Sequence, residues 1–212
     1  MLAMIPVRRP FQRGFTLLEA LVVVAIIGVL LAVGIPNMRS WLGNTAANGA
    51  AQFYAEGFRL AKHQALANNS RSRLVLTSNA QSGQLDWQVD VCFVSNDDQC
   101  GATSERWSDV DTPAATPANI DVSTASVFRS SASLPRPSAV TITPDGTARA
   151  VYFTELGWVD GSKPALTRLD LEPGNVEEGA DKPFRPTSVV LTLAGAVVVC
   201  RPDLDDDPRS CP

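Results

Sequence analysis

The sequence has 212 residues, which is room for a membrane anchor and one soluble domain of ordinary size but not for a second independent domain. Its formal net charge is −4, from 18 basic and 22 acidic side chains. Residues 1–14 contain three arginines and no acid, so the remaining chain carries 15 basic and 22 acidic side chains, a formal charge of −7. This acidity argues against general binding to a nucleic-acid backbone, although it leaves room for a local basic patch.

An apolar run near the N-terminus is the first predicted element. Every residue from 20 to 35 is apolar or glycine, and a helix over residues 15–35 would be roughly 30 Å long, which is the thickness of a bilayer core. The three arginines before it predict that residues 1–14 stay in the cytoplasm. We therefore expect a single-pass anchor that leaves the rest of the chain outside the cytosol.

Glu19 lies at the entrance of this apolar segment. A charged side chain near the bilayer centre costs ~2.5–3.5 kcal/mol, so even at the margin it needs a partner. No basic residue lies between Phe15 and Met38. A new amino terminus at Phe15, on this chain or on a neighbouring one, would supply that partner.

The residues from Arg13 to Glu19, RGFTLLE, resemble the class III signal of type IV pilins and type II secretion pseudopilins. The resemblance implies that a prepilin peptidase cleaves between Gly14 and Phe15 and that the new N-terminal Phe15 is methylated. It also implies that Glu19 is the glutamate that guides assembly with other major and minor pilins. The expected location is the bacterial inner membrane, with the C-terminal domain in the periplasm, and later a pilus or pseudopilus.

Two simpler interpretations of the N-terminus compete with this one. A removable secretory signal also has a basic start and an apolar stretch, and residues 32–34 would suit a small-residue cleavage site, but such a signal needs no carboxylate. A plain single-pass anchor explains the length of the apolar run and leaves Gly14, Phe15 and Glu19 as coincidence. The pilin-like interpretation accounts for all three residues, and we favour it.

The helix is predicted to continue beyond Pro36, with a kink where the backbone donor is lost. Residues 15–36 would be the membrane and assembly half of the helix, and residues 37–70 an amphipathic half. Because three glycines each weaken a helix by roughly 1 kcal/mol relative to alanine, we expect residues 37–51 to be bent or partly melted. His63, the single histidine, is predicted to face solvent. Four residues form the predicted apolar stripe: Tyr54, Phe58, Ala61 and Ala65.

Beyond residue 70 the apolar period changes to two, which predicts a β-rich domain over residues 71–212. The fold class is therefore α+β, with a long N-terminal helix packed on an antiparallel sheet domain as in pilins. Three hairpins are predicted: strands 73–76 and 85–93 around loop 78–83, strands 139–143 and 148–154 around turn 144–146, and strands 188–193 and 196–200 around 194–195. Two further segments, 96–137 and 172–186, are predicted as loops.

The passage from helix to strand, residues 58–76, is similar to that of the GspH/FimT group, which contains type IV minor pilins and a minor pseudopilin. In DNA-uptake members of that group the terminal hairpin carries a Gly-Arg-x-Arg motif that contacts DNA. The matching stretch here is Gly195-Ala196-Val197-Val198, without either arginine. Arg201 and Arg209 follow, but aspartates surround them. This departure argues against DNA as a partner.

The four cysteines, all beyond the apolar run, are expected to form disulfides in an oxidising periplasm. Four cysteines allow three pairings. We favour local closure because each local pair brackets a polar, loop-like stretch. The favoured pairs are Cys92 with Cys100 and Cys200 with Cys211.

Enzymatic chemistry has little support in the sequence. One histidine and scattered carboxylates such as Glu155 and Asp160 offer no acid–base pair, and we expect no cofactor and no metal. The aspartates of residues 203–207 resemble calcium ligands, but the stretch lacks the glycine of an EF-hand loop and has Pro208 instead, which favours a solvated acidic loop. The sequence thus predicts a minor pilin that joins or primes a type IV pilus near its tip. The alternatives are a minor pseudopilin of type II secretion, a DNA-uptake receptor, and an adhesive or substrate-binding tip that uses residues 96–137.

Overall fold

The computed structural model describes residues 16–116, 124–176 and 182–212. One long helix, α1, spans Leu17–Ala67. Eight strands and a short 3-10 helix, Ser131–Ser133, follow it. The strands are β1 Arg71–Ser78, β2 Leu85–Cys92, β3 Val127–Arg129, β4 Val140–Pro144, β5 Ala150–Phe153, β6 Arg168–Pro173, β7 Thr187–Leu191 and β8 Val197–Cys200. The α+β class, with a long helix and antiparallel sheets, is confirmed.

The chain divides into two compact units, residues 1–39 and 40–212. In the first unit, α1 contains an apolar stretch long enough to cross a membrane, and none of that stretch is buried. The helix continues without interruption through position 36. Of the two outcomes expected for residues 37–51, partial melting is wrong, because packing of this part of α1 in the core outweighs the low helix propensity of its glycines. The expected bend stays a prediction.

In the second unit, the buried side of α1 is a stripe of small and aromatic side chains. The predicted members of the stripe are all buried, and the stripe extends towards the N-terminus by several alanines, while His63 is exposed as predicted. Three hydrogen bonds fix the helix to strands β1 and β2: Tyr54 Oη donates to the Leu85 carbonyl (2.8 Å), Trp87 Nε1 to the Phe53 carbonyl (3.0 Å) and Ser72 Oγ to the Ala61 carbonyl (2.6 Å). The stripe consists of Ala47, Ala50, Ala51, Tyr54, Ala55, Phe58, Ala61 and Ala65.

Two antiparallel sheets share one core with α1. The first sheet has the strand order β3-β2-β1-β5 and the second β4-β6-β7-β8. The hairpins β1–β2 and β7–β8 are confirmed, with Leu74 opposite Val89 and Val190 opposite Val198. Buried residues of both sheets and of α1 belong to the same hydrophobic cluster, so the helix is the common support of the two sheets.

The predicted hairpin of residues 139–154 is wrong. Strand β4 pairs with β6 in the second sheet, and β5 pairs with β1 in the first. Asp145, which follows β4, accepts hydrogen bonds from the backbone of Thr167 and Arg168 and from the Thr167 hydroxyl (2.7 Å). The polar turn 144–146 therefore connects the two sheets. Strands β4 and β5, on either side of it, each pair with a strand from elsewhere in the chain and not with each other.

Two strands are additions to the prediction. Strand β6 has buried Leu169 and Leu171 alternating with more exposed residues, and this period-two signal was readable in the sequence. Strand β3 lies inside the segment predicted as a loop, residues 96–137, and pairs with the edge of β2, with Trp87 opposite Arg129.

The polar face of β2 is buried as well, although alternation predicted a half-buried strand. Asp86 accepts from the backbone N–H and hydroxyl of Ser131, at 2.6 and 2.7 Å. Asp90 accepts from Arg73 Nε (2.7 Å) and Ser126 Oγ (2.6 Å). The segment that follows β2 thus covers the second face, and its donors satisfy the carboxylates that it buries.

Gly57 marks the closest approach of α1 to the first sheet. A Cβ atom built at this position would lie 2.7 Å from Leu74 Cδ1 and 3.0 Å from Trp87 Cδ2. At Gly49, by contrast, a Cβ atom would meet nothing within 4 Å. The two glycines have the same intrinsic cost in a helix but opposite roles, since only Gly57 makes room for the sheet.

We predict that Gly57→Ala lowers the free energy of unfolding by about 1–2 kcal/mol, because overpacking outweighs the gain in helix propensity. Gly49→Ala is the matched control and is expected to raise it by about 0.5–1 kcal/mol. Denaturant unfolding of the full chain in neutral detergent, followed by tryptophan fluorescence, measures both. Equal stabilisation by the two variants would contradict the close contact.

Candidate assembly site

The candidate assembly site is the N-terminal end of α1. Thr16 precedes the first helical residue, and its Oγ1 accepts a hydrogen bond from the backbone N–H of Glu19 at 3.2 Å. The Thr16 carbonyl accepts from the N–H of Ala20, also at 3.2 Å. Threonine at the N-cap with glutamate three residues later is the pattern of a capping box. The signal for this cap is present in the sequence as a threonine three residues before a glutamate, at the start of the apolar run.

Glu19 is an exposed acidic residue in the first turn of α1, where the positive end of the helix dipole favours a carboxylate. The helix therefore gives Glu19 a local role in addition to the assembly role expected from the sequence. Gly14 and Phe15, the expected cleavage and methylation site, lie outside the described residues. Within residues 16–116, 124–176 and 182–212, no ion pair of 4.0 Å or less includes Glu19.

The β7–β8 turn is the place where the DNA-uptake motif would lie. Gly195 has a φ of +70°, and a Cβ atom there would lie 2.3 Å from the Gly157 carbonyl oxygen, so a glycine is required. Lys62 Nζ donates to the Ala194 carbonyl at 3.0 Å, which fixes the turn against α1. Arg201 follows β8 at the strand end opposite this turn. The arginines near the C-terminus therefore do not replace the missing motif arginines in space.

The structure brings both expected cysteine pairs to disulfide distance. The sulfur atoms of Cys92 and Cys100 lie 2.05 Å apart, and those of Cys200 and Cys211 lie 2.08 Å apart. The first pair belongs to a small buried cluster with Trp107. The second pair closes the acidic loop that follows β8, so the last residues of the chain return to the second sheet.

The segment 96–137 is an ordered cover over β2 in the parts that the structure describes, 96–116 and 124–137. Arg73 lies over the Trp107 ring, with 4.5 Å from Cζ to the ring centroid, and Trp107 Nε1 donates to the Gly101 carbonyl at 2.8 Å.

Asp160 forms ion pairs with two basic side chains, at 3.4 Å from Arg71 and 3.0 Å from Lys163. Burial alone raises the pKa of Asp160, but hydrogen bonds from Ser162 and Lys163 outweigh it and lower that pKa to about 2.

Two aspartates of the acidic loop 203–207 form ion pairs with arginines. Asp207 makes two contacts of 2.9 Å with the Arg209 guanidinium, and Asp203 lies 4.0 Å from Arg185. Across the described ranges, no three His, Cys, Asp or Glu side chains are grouped as metal ligands. Glu155 pairs with Arg71 at 3.2 Å.

The fold and the N-terminus together define a class: a β-rich domain carried on a long helix whose first part is apolar and exposed. Residues 9–35 match a family model, the prokaryotic N-terminal methylation motif. This match indicates a precursor with the N-terminal motif of type IV pilin-like prepilins, and it covers only residues 9–35 of the chain. No curated protein and no solved structure matches the chain. Membership of the GspH/FimT group stays a prediction.

The disulfide pairing is tested by peptide mapping of the exported protein without reduction. We expect two cross-linked peptide pairs, Cys92–Cys100 and Cys200–Cys211. Replacing Cys200 and Cys211 together by serine should lower the free energy of unfolding by about 2–3 kcal/mol, because the unfolded chain regains the entropy of a short closed loop. Free thiols or crossed pairs would contradict the assignment.

Proposed function

We propose that this chain is a minor pilin, a structural subunit that joins or primes a type IV pilus near its tip after cleavage by prepilin peptidase. The observation that carries the proposal is the N-terminal methylation motif at residues 9–35, followed by a helix whose apolar part is fully exposed. Such a helix needs an apolar environment, either lipid or the helices of neighbouring subunits.

In this function the apolar part of α1 is surrounded first by lipid and later by the helices of other subunits. It anchors the subunit in the inner membrane, with the β-rich domain in the periplasm, until the subunit is extracted. It then packs against the helices of neighbouring pilins. Apolar packing alone allows one helix to slide along another, so a charged pair is needed to define the axial register.

Glu19 would supply that register by pairing with the methylated amine of Phe15 on an adjacent subunit. Thr16 supports the arrangement, because its hydroxyl caps the backbone N–H of Glu19 and so holds the first turn of α1 in helical form. The carboxylate then remains available for the neighbouring subunit. The role is structural, and no enzymatic activity is part of the proposal.

A minor pseudopilin of type II secretion would share this N-terminal chemistry. An operon of minor pilin genes around the coding sequence would support the pilus, and an operon of secretion genes would support the pseudopilus. The missing arginines at the β7–β8 turn weigh against a DNA-uptake receptor. The described parts of segment 96–137 cover β2, so this segment gives less support to an adhesive tip than a free surface loop would.

Processing is tested by mass spectrometry of protein extracted from membranes that contain prepilin peptidase. We expect the mature chain to begin at N-methylated Phe15, because the motif places the cleavage bond after Gly14. A chain that begins at Met1 or near residue 35 would contradict the proposal.

The role of Glu19 is tested by substitution. Glu19→Gln keeps the size and capping capacity of the side chain and removes its charge, so we expect incorporation into sheared pili to fall about tenfold or more through loss of a charge-assisted contact. Thr16→Val is the matched control, since it removes the cap, at about 1 kcal/mol of helix stability, and keeps the carboxylate. Membrane insertion and cleavage should persist in both variants.

The comparison of the two variants separates the local from the intersubunit role. If Thr16→Val reduces incorporation as strongly as Glu19→Gln, Glu19 acts through the helix end alone. If Glu19→Gln assembles like the parent, the carboxylate has no register role.

A further inference from the structure

A basic pocket lies in the second unit, beside the first residues of α1 that belong to that unit. Its volume is ≈ 500 Å³. Four of its seven lining residues are cationic, although the exported chain as a whole is acidic. The lining residues are Ser40, Asn44, Lys182, Phe184, Arg185, Arg201 and Arg209.

Arg201 is the cation of this pocket that lacks a partner within the described parts of the chain. Its Nη1 atom is buried and has no hydrogen-bond partner, and no ion pair of 4.0 Å or less includes its guanidinium. A guanidinium stays charged at any physiological pH and carries five donors. A buried donor without a partner is costly, so the site is incomplete as it stands.

The other three cations have carboxylates nearby, and two of these contacts are weak. Lys182 lies 4.0 Å from Glu172, and Arg185 lies 4.0 Å from Asp203. Ion pairs of this length between largely exposed side chains contribute little, so a stronger anion would displace them. Arg209 is held more firmly, since its hydrogen bonds to Asp207 lower the pKa of that carboxyl to about 2.

The backbone holds the pocket in shape before any ligand enters. The N–H of Arg201 donates to the Arg209 carbonyl at 2.7 Å, and the Cys200–Cys211 pair joins the two ends of the loop that carries both arginines. On the opposite wall, Phe184 packs against Gly43 so closely that a Cβ atom at Gly43 would lie 2.6 Å from its ring. Arranged donors bind an anion without a large ordering cost.

We propose that this pocket binds the phosphate group of an anionic phospholipid headgroup, with the Arg201 guanidinium as the central donor. The cations at positions 182 and 185 would contribute charge at the mouth of the pocket, and the Ser40 hydroxyl would contribute a hydrogen bond. Planar guanidinium donors bind phosphate through paired, charge-assisted hydrogen bonds, which makes phosphate the anion that this lining fits best.

The lipid source rests on the proposed membrane anchoring and on the position of the pocket along the chain. Ser40 follows Ile35, the last residue of the apolar run, by five residues in the sequence, so the pocket includes a residue close along the chain to the proposed anchor. Trp41, which is 64 % exposed, lies next to Ser40 and is of the residue type that prefers the membrane interface. A duplex requires contacts to several phosphates, and a domain with an excess of acidic side chains is poorly suited to that.

The test uses the full chain in an uncharged detergent. Short-chain phosphatidylglycerol, inorganic phosphate and a DNA duplex are titrated separately, and binding is measured by calorimetry at low and physiological salt. We expect phosphatidylglycerol to bind at least tenfold more tightly than inorganic phosphate. Arg201→Gln should weaken lipid binding about tenfold or more, because a central charge-assisted contact is lost.

Two further variants make the result specific. Arg185→Gln changes an exposed residue of the pocket mouth and should weaken lipid binding about two- to fivefold without affecting folding. Arg59→Gln is the matched control, since it removes the same charge from an exposed position on α1 away from the pocket and should leave binding unchanged.

Equal loss of affinity in Arg59→Gln and Arg201→Gln would overturn the site, as would unchanged affinity in both pocket variants. Equal affinity for phosphate and phosphatidylglycerol would overturn the lipid source and leave a free phosphate as the ligand. Tighter binding of DNA than of lipid would also overturn the lipid source. Cleavage and pilus incorporation of Arg201→Gln, measured separately, distinguish failure of this proposal from failure of the pilin assignment.

Discussion

The close contact between α1 and the two sheets is the constraint on which the rest of the structure depends. The buried stripe of the helix consists mostly of alanines, with Gly57 at the point where Leu74 and Trp87 leave no space for a side chain. Small residues let strands β1 and β2 lie close to the helix, and the second sheet shares the same hydrophobic core. The same helix begins with an apolar stretch that is fully exposed. One helix therefore combines a buried stripe that supports the domain with an exposed apolar part for which we propose membrane and filament contacts.

Several carboxylates of the domain are engaged in internal hydrogen bonds and ion pairs. Asp86 and Asp90 are buried and hydrogen-bonded beneath the segment that covers β2, and Asp160 is paired with Arg71 and Lys163. In the C-terminal loop, four aspartates lie between Arg201 and Arg209, yet no ion pair within the described residues includes Arg201.

Several features were predictable because their cause is local. The β1–β2 and β7–β8 hairpins follow from alternating apolar residues around short polar turns, and the buried stripe of α1 follows from helical spacing. The false hairpin of residues 139–154 has the same local signals. It does not form, because β5 pairs with β1 and β4 pairs with β6. Pairing between distant segments depends on how the whole core packs. The buried polar face of β2 was missed for a related reason, since the strand pattern does not show what will cover it.

The sequence by itself determined the N-terminal motif: three arginines, Gly14-Phe15, Glu19 and the apolar run occur at fixed offsets in the chain, and such a motif is defined by sequence spacing alone. Only the tertiary structure decided how the β-strands divide between two sheets and which charges meet around the C-terminal loop. Ser40, Lys182 and Arg201 are far apart in the chain, and they line one pocket because the second sheet and its disulfide-closed loop fold back against the start of the buried part of α1. Such a cluster leaves no periodic trace in the sequence, since it arises from contacts between segments and not within them.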